Sequence, residues 1–159
     1  MKIRVICVGK IKEKYLKDAL AEYEKRLSRF CKFEIAELPD IKIPDNASPS
    51  QCEAVKAAEG ESILKKIRTD EYVISLCVEG KSMSSEDFAA KISNVTVGGV
   101  STVDFVIGGS LGLSDSVKKR SDLRLSFSSF TFPHQLMRVI LAEQIYRAFK
   151  INANEQYHK

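Results

Sequence analysis

The sequence predicts an α/β protein built on a parallel sheet with helices on both faces. Three observations carry that reading. Short β-branched runs alternate with segments of helical periodicity along all 159 residues, the pattern of strand, crossover helix, strand. Residues 72–78 and 103–107 are nearly all apolar, as strands covered on both faces are. The segments after these runs are rich in glycine and serine, and in open parallel sheets ligands bind beyond the carboxyl ends of the strands.

Residues 2–9 form the first strand and end in glycine. From 14 to 30, Tyr15, Leu16, Ala19, Leu20, Tyr23, Leu27 and Phe30 recur at helical spacing. Phe33 to Leu38 alternates with period two, and residues 39–49 hold three prolines, two aspartates and an asparagine, which makes them a surface loop. Ser48 with Gln51 forms a capping-box pattern, and Pro49 fits the first helical position. Val55, Ala58, Ile63, Leu64 and Ile67 supply the apolar side of that helix. After the strand at 72–78, Glu79-Gly80-Lys81 is expected to turn the chain. Ser84 and Asp87 cap a helix running to about Val95, and Gly98-Gly99 breaks it. The strand from Val103 to Ile107 ends in a Gly108-Gly109 turn. A short helix near 114–121, a strand near 122–127 and a final helix from about 133 to 150 complete the order.

With 44% apolar residues, 159 residues build one well-buried core, so residues 1–159 read as one domain. Net charge is +4 overall but uneven, at +6 for residues 1–32, −6 for 33–104 and +4 for 105–159. Two basic ends suit a polyanion such as RNA, and equally suit a solvated surface. Cys7, Cys31, Cys52 and Cys77 are too widely spaced for a zinc clamp or a disulfide framework, so buried free thiols in a reducing compartment are expected. No apolar run nears the ~20 residues of a membrane span, and the expected location is cytoplasmic.

The final helix distributes Leu136, Met137, Val139, Ile140, Leu141, Ala142, Ile145, Ala148 and Phe149 round much of its circumference. Such a helix needs more than one neighbour, and the expectation is that a second subunit supplies one. The residues just past the strands, 76–80, 108–112 and 126–133, are the candidate pocket. Glycines at 108, 109 and 112 let a backbone approach a flat ring closely, although they also suit a plain tight turn. The spacing Gly108-Gly109-Ser-Leu-Gly112 is not the dinucleotide fingerprint, no acidic residue follows a second strand, and no phosphate loop of the Walker type occurs.

These residues together resemble the SPOUT class of S-adenosylmethionine-dependent RNA methyltransferases, and within it the ribosomal RNA large subunit methyltransferase H family. The likeness spans the whole chain. It rests on Val8-Gly9-Lys10, Leu76 with Gly80-Lys81, Ile107-Gly108-Gly109 with Gly112-Leu113, Leu125-Ser126 to Phe132-Pro133-His134, Arg138, Glu143-Gln144, Tyr146-Arg147-Ala148 and Tyr157-His158-Lys159. The resemblance implies a C-terminal trefoil knot, a homodimer whose active site is completed by the partner's residues, and methylation at N3 of a pseudouridine in large-subunit (23S) ribosomal RNA. It further implies that Leu76, Gly108, Gly109 and the loop Ser128, Ser129, Phe130, Thr131, Phe132 and Pro133 enclose S-adenosylmethionine, largely through backbone atoms. No metal is expected. A fold-sharing dimer without turnover, or a relative acting on another RNA position, would be separated by donor calorimetry and nucleoside analysis.

A uracil-type nitrogen must lose its proton before it attacks a sulfonium methyl, so the site needs a proton acceptor and a nearby cation. His158 is the candidate for proton handling, Arg147 for an electrostatic clamp, and Tyr157 for stacking or hydrogen bonding to RNA. The blander roles are a surface terminus for His158, an i,i+4 pair with Glu143 for Arg147, and simple packing for Tyr157. His134 is expected to bond at the helix start, and the blander role of Arg138 is an intersubunit ion pair. Lys10, Lys12, Lys14 and Lys17 are candidates for phosphate contact.

Overall fold

Period-two strands and capped helices assemble as the alternation requires. The computed structural model describes residues 1–157. The order is β1 (Lys2–Val8), α1 (Lys14–Leu27), β2 (Lys32–Leu38), α2 (Pro49–Leu64), β3 (Tyr72–Ser82), α3 (Ser85–Val97), β4 (Thr102–Ile107), α4 (Asp115–Arg120), β5 (Leu123–Ser126) and α5 (His134–Asn152). The five strands form one sheet in the order β2-β1-β4-β3-β5, every neighbouring pair parallel.

Alternate residues of each strand feed two apolar layers. Ile3, Val5 and Cys7 of β1 and Phe105 and Ile107 of β4 join Phe88 and Ile92 of α3 and Leu141 and Ile145 of α5 on one face. Ile6 and Val8 of β1, Val73 of β3 and Val106 of β4 join Ile63 of α2 and Val117 of α4 on the other. All six residues of β4 are buried. Each fully covered Phe, Ile or Leu contributes about 1.5–3 kcal/mol.

The helix starts follow the sequence. Ser48 accepts from the Gln51 amide while the Gln51 side chain accepts from the Ser48 amide, completing a capping box, and Ser84 accepts from the Asp87 amide. The α2 packing differs from expectation, because Glu59, Gly60 and Ile63 are its buried residues rather than a full apolar stripe. A Cβ at Gly60 would lie 2.1 Å from Ser114 Oγ, so the missing side chain is what lets α2 approach the start of α4.

Two other expectations are corrected. Glu79-Gly80-Lys81 does not turn the chain: β3 runs on to Ser82, with a register shift against β5 between Leu76 and Lys81 that leaves residues 77–80 looped out. A Cβ at Gly80 would lie 2.7 Å from the Leu125 carbonyl carbon, so β5 passes hard against this bulge. Within the chain α5 packs against both α1 and α3, and Leu136 in its first turn stays 38% exposed. Arg138 bonds inside its own chain, to Glu37 Oε1 at 2.9 Å and to the carbonyls of Val8 and Gly9 at 3.0 Å each. It is 1% exposed, a buried tie between α5 and the β1–α1 loop.

One buried charge cluster sits at the other end of the sheet. Arg4 Nε and a terminal nitrogen grip both oxygens of Asp104 at 2.8 and 2.9 Å, and the same terminal nitrogen reaches Glu71 at 2.8 Å. Burial pushes the Asp104 carboxyl up to about 6, against the pull of Arg4. Burial also raises Glu71, but hydrogen bonds from the Arg68 backbone, Asp104 and Arg4 outweigh it and leave that carboxyl below its ordinary value.

Candidate active site

The carboxyl ends of β3, β4 and β5 converge on one cavity of about 380 Å³, within the ~300–1,000 Å³ range of small-ligand sites. Its walls come from three chain segments, Leu76–Glu79, Ile107–Leu113 without Gly109 and Leu125–Phe132 without Ser129, with Lys56 of α2, Lys118 of α4, and His134 and Met137 from the first turns of α5. Backbone geometry shapes the middle wall: Gly112 N donates to Gly109 O at 2.9 Å, and Gly112 has φ +81°, the left-handed region that glycine adopts freely. A Cβ at Gly108 would lie 2.8 Å from both the carbonyl carbon and the oxygen of Gly112. Glycine is required there to let the two arms of the turn meet.

Of the residues expected to enclose a donor, Leu76, Gly108, Ser128, Phe130, Thr131 and Phe132 line this cavity. Gly109, Ser129 and Pro133 do not. Gly109 instead backs onto α2, where a Cβ would lie 2.8 Å from Glu59 Oε2, and Pro133 is spent on the start of α5. Ser110, Leu111, Leu113, Cys77 and Met137 join the lining. A signal for Met137 was present, since it stands one turn beyond His134 on a helix whose start follows the pocket loop. Cys77, like Cys52, is only half-buried rather than a buried thiol as expected, and burial raises the Cys77 pKa.

His134 does not cap α5 through its side chain; it faces the cavity. Burial, and then the Arg138 cation one turn along, lower its pKa below the ordinary 6.5, so it is neutral at pH 7. The cavity thus combines apolar walls and strand-end backbone with a neutral imidazole and three charged side chains, Lys56, Lys118 and Glu79, of which Lys118 and Glu79 pair with each other at 2.5 Å.

Arg147 and Tyr157 are brought together, but not at this cavity. Arg147 donates to Glu143 Oε1 at 2.6 Å, the Tyr157 hydroxyl lies 3.3 Å from the same oxygen, and the guanidinium sits 4.9 Å from the Tyr157 ring centroid. The Tyr157 ring also meets Tyr146 edge-on at 5.0 Å. Burial and then the Glu143 carboxylate push the Tyr157 phenol up to about 12, so it stays a donor at neutral pH, and the Glu143 hydrogen bond raises the Arg147 pKa. Glu143 is therefore the anchor of the pair, a role that the i,i+4 spacing signalled only as a helix contact. Arg147 lies thirteen positions along the helix from His134, roughly 20 Å along the axis. His158 lies outside the described residues.

A cavity of this size at the carboxyl ends of parallel strands is where α/β proteins of this architecture take small ligands. Comparison with known proteins makes the class specific. The family model described as predicted SPOUT methyltransferase matches residues 1–158. Among curated relatives, ribosomal RNA large subunit methyltransferase H of Lactiplantibacillus plantarum is 57% identical over 159 residues, covering 100% of both chains. The protein of the same description from Bifidobacterium adolescentis is 58% identical with the same full coverage. A solved structure of a probable methylase family protein from Haemophilus influenzae Rd KW20 has a TM-score of 0.51 at 15% identity, covering 99% of this chain and 70% of that one, a likeness of fold. The chain belongs to the SPOUT methyltransferase family, and within it to the family of ribosomal RNA large subunit methyltransferase H.

Proposed function

We propose that this protein transfers a methyl group from S-adenosylmethionine to N3 of a pseudouridine in 23S ribosomal RNA of the large subunit. The observation that carries the proposal is the glycine-shaped cavity at the ends of β3, β4 and β5, in a chain 55–58% identical, end to end, to curated large-subunit methyltransferases. S-adenosylmethionine supplies, when bound, a methyl group on a sulfonium. The protein has to do the rest.

Leu76–Glu79, Gly108, the 110–113 turn and the 126–132 loop apart from Ser129 hold the donor through backbone groups and apolar contact, and His134 stays neutral beside the sulfonium. Arg147 stabilises the imide anion left when N3 gives up its proton, His158 takes that proton, and Tyr157 positions the base or its neighbour. As the methyl–nitrogen bond forms and the sulfur–methyl bond breaks, the donor leaves as a neutral thioether. In-line geometry at ~3–3.5 Å supplies several kcal/mol of the barrier reduction.

A homodimer belongs to this proposal. The apolar side chains of Phe130 and Leu136, 78% and 38% exposed, stand in the pocket loop and the first turn of α5 and call for cover. The roughly 20 Å between the cavity and Arg147 along α5 is bridged when a second copy brings its own polar end to the open cavity. A C-terminal knot, one domain over residues 1–159 and a cytoplasmic location complete the reading. No helix among the described residues is long and apolar enough to cross a membrane.

The test is methyl transfer from labelled donor to purified large subunits, assembled ribosomes and naked RNA, with the product nucleoside identified. N3-methylpseudouridine is the expected product. Label on a ribose oxygen or in transfer RNA, or donor binding without transfer to any of the three, overturns the proposal.

A further inference from the structure

Beside the donor cavity lies a second one of about 210 Å³, between the start of α3 and the middle of α5. Met83, Ser84, Ser85, Phe88 and Gln144 line it, and its remaining wall is Leu125, Ser126 and Phe127. That wall also lines the donor cavity. We infer that the second cavity is the seat of the acceptor base, a uracil-type ring whose two carbonyl oxygens are met by the Ser84 hydroxyl and the Gln144 amide. This rests on the methyl-transfer reading above and assigns the acceptor half of the same site.

Size is the first argument. About 210 Å³ falls below the ~300 Å³ where drug-sized pockets begin, so the space suits one ring and not a second donor molecule. Position is the second, because an occupant touching residues 125–127 abuts whatever fills the donor cavity, as transfer at ~3–3.5 Å requires. Polarity is the third. Ser84 is exposed at the mouth of this cavity; its oxygen accepts from the Asp87 amide, and its proton is free to turn to an occupant. The Gln144 amide is locked from two sides: its oxygen accepts from Ser85 Oγ at 2.9 Å, and one N–H donates to Glu143 at 2.7 Å. Its second N–H has no acceptor among the described residues.

An imide that loses its N3 proton spreads the charge onto the oxygens flanking that nitrogen. Fixed donors at those oxygens stabilise the anion without reorganising, and the positive end of the thirteen-residue α3 acts in the same sense. Phe88 and Phe127 supply apolar wall for the ring face.

Ser84→Asp keeps an oxygen to cap α3 but replaces the donor with an anion, whereas Ser84→Asn keeps both cap and donor. Ser85→Leu fills the cavity at a helical position that tolerates leucine. Transfer to large subunits, S-adenosylmethionine affinity by calorimetry and thermal unfolding are measured for each. The expected result is that Ser84→Asp and Ser85→Leu lose about tenfold or more in kcat/KM for the RNA while donor affinity stays at the wild-type value, Ser85→Leu melting a few degrees lower through the lost Ser85–Gln144 bond and Ser84→Asn staying near wild type. Wild-type turnover in both Ser84→Asp and Ser85→Leu overturns the inference, and so does a parallel loss of donor affinity, which would make this cavity part of the donor site. If Ser85→Leu fails to fold, the Asp/Asn pair decides. Failure of wild-type protein to methylate the RNA at all would instead strike the underlying function.

Discussion

Gly108→Ala tests whether the donor cavity depends on the β4 turn. An added methyl would sit 2.8 Å from Gly112 C and O and 3.0 Å from Leu113 Cδ2. Ordinary contact begins near 3.4 Å, so the two arms of the turn must separate by about 0.6 Å, and overpacking of this kind costs typically 1–3 kcal/mol. The arms are pinned by the Gly112 N to Gly109 O bond at 2.9 Å, whose weakening adds about 1 kcal/mol. The total of about 2–4 kcal/mol corresponds to a melting temperature lower by roughly 5–15 °C. Because the displaced backbone is also the cavity wall, main-chain hydrogen bonds to a donor lengthen together, and S-adenosylmethionine affinity should fall about 10–100-fold. Calorimetric titration beside a thermal melt measures both effects. Wild-type affinity in a folded Gly108→Ala protein would refute the assignment of this turn to donor binding.

Other outcomes follow from the same geometry. Arg147→Ala, or removal of residues 157–159, should reduce transfer to ribosomes at least tenfold while leaving donor affinity within about twofold; equal loss of both would make the arginine structural. Arg4→Met strands Asp104 and Glu71 as buried carboxylates without their cation, and urea unfolding should show about 3–5 kcal/mol lost. His134 is held neutral by burial and by Arg138, so its folded pKa lies under 6.5. The stability it contributes is present above pH 6.5 and lost as pH falls through the depressed value, where protonation also sets a cation beside the sulfonium. Thermal stability and donor affinity should therefore decline on the acid side, and His134→Gln should flatten both profiles; unchanged slopes in the variant would remove His134 from the account.

Local rules made the elements legible. Ser48, Gln51 and Pro49 specify the start of α2, Ser84 that of α3, and the apolar runs in β3 and β4 are buried because parallel strands are covered twice. The strand-end glycines and serines marked the cavity, and Leu76, Gly108 and Phe132 line it. Non-local packing was not legible. Nothing in Glu79-Gly80-Lys81 says that β5 will lie against it, so a sequence with the composition of a turn became a bulge inside a strand. Arg138 looks like a surface charge on a helix until the carbonyls of Val8 and Gly9, 129 and more residues away, close round it.

The chain's own order of residues was enough for the strand–helix alternation, the caps and the composition of the ligand loops, because each depends on neighbours a few positions apart. Tertiary structure decided which of those loop residues face the cavity, why Gly109 turns to Glu59 instead, and how Glu143 collects Arg147 and Tyr157. Those outcomes depend on what the folded sheet and its two helical layers press against each residue, and that is a property of contacts made across the whole length of the chain.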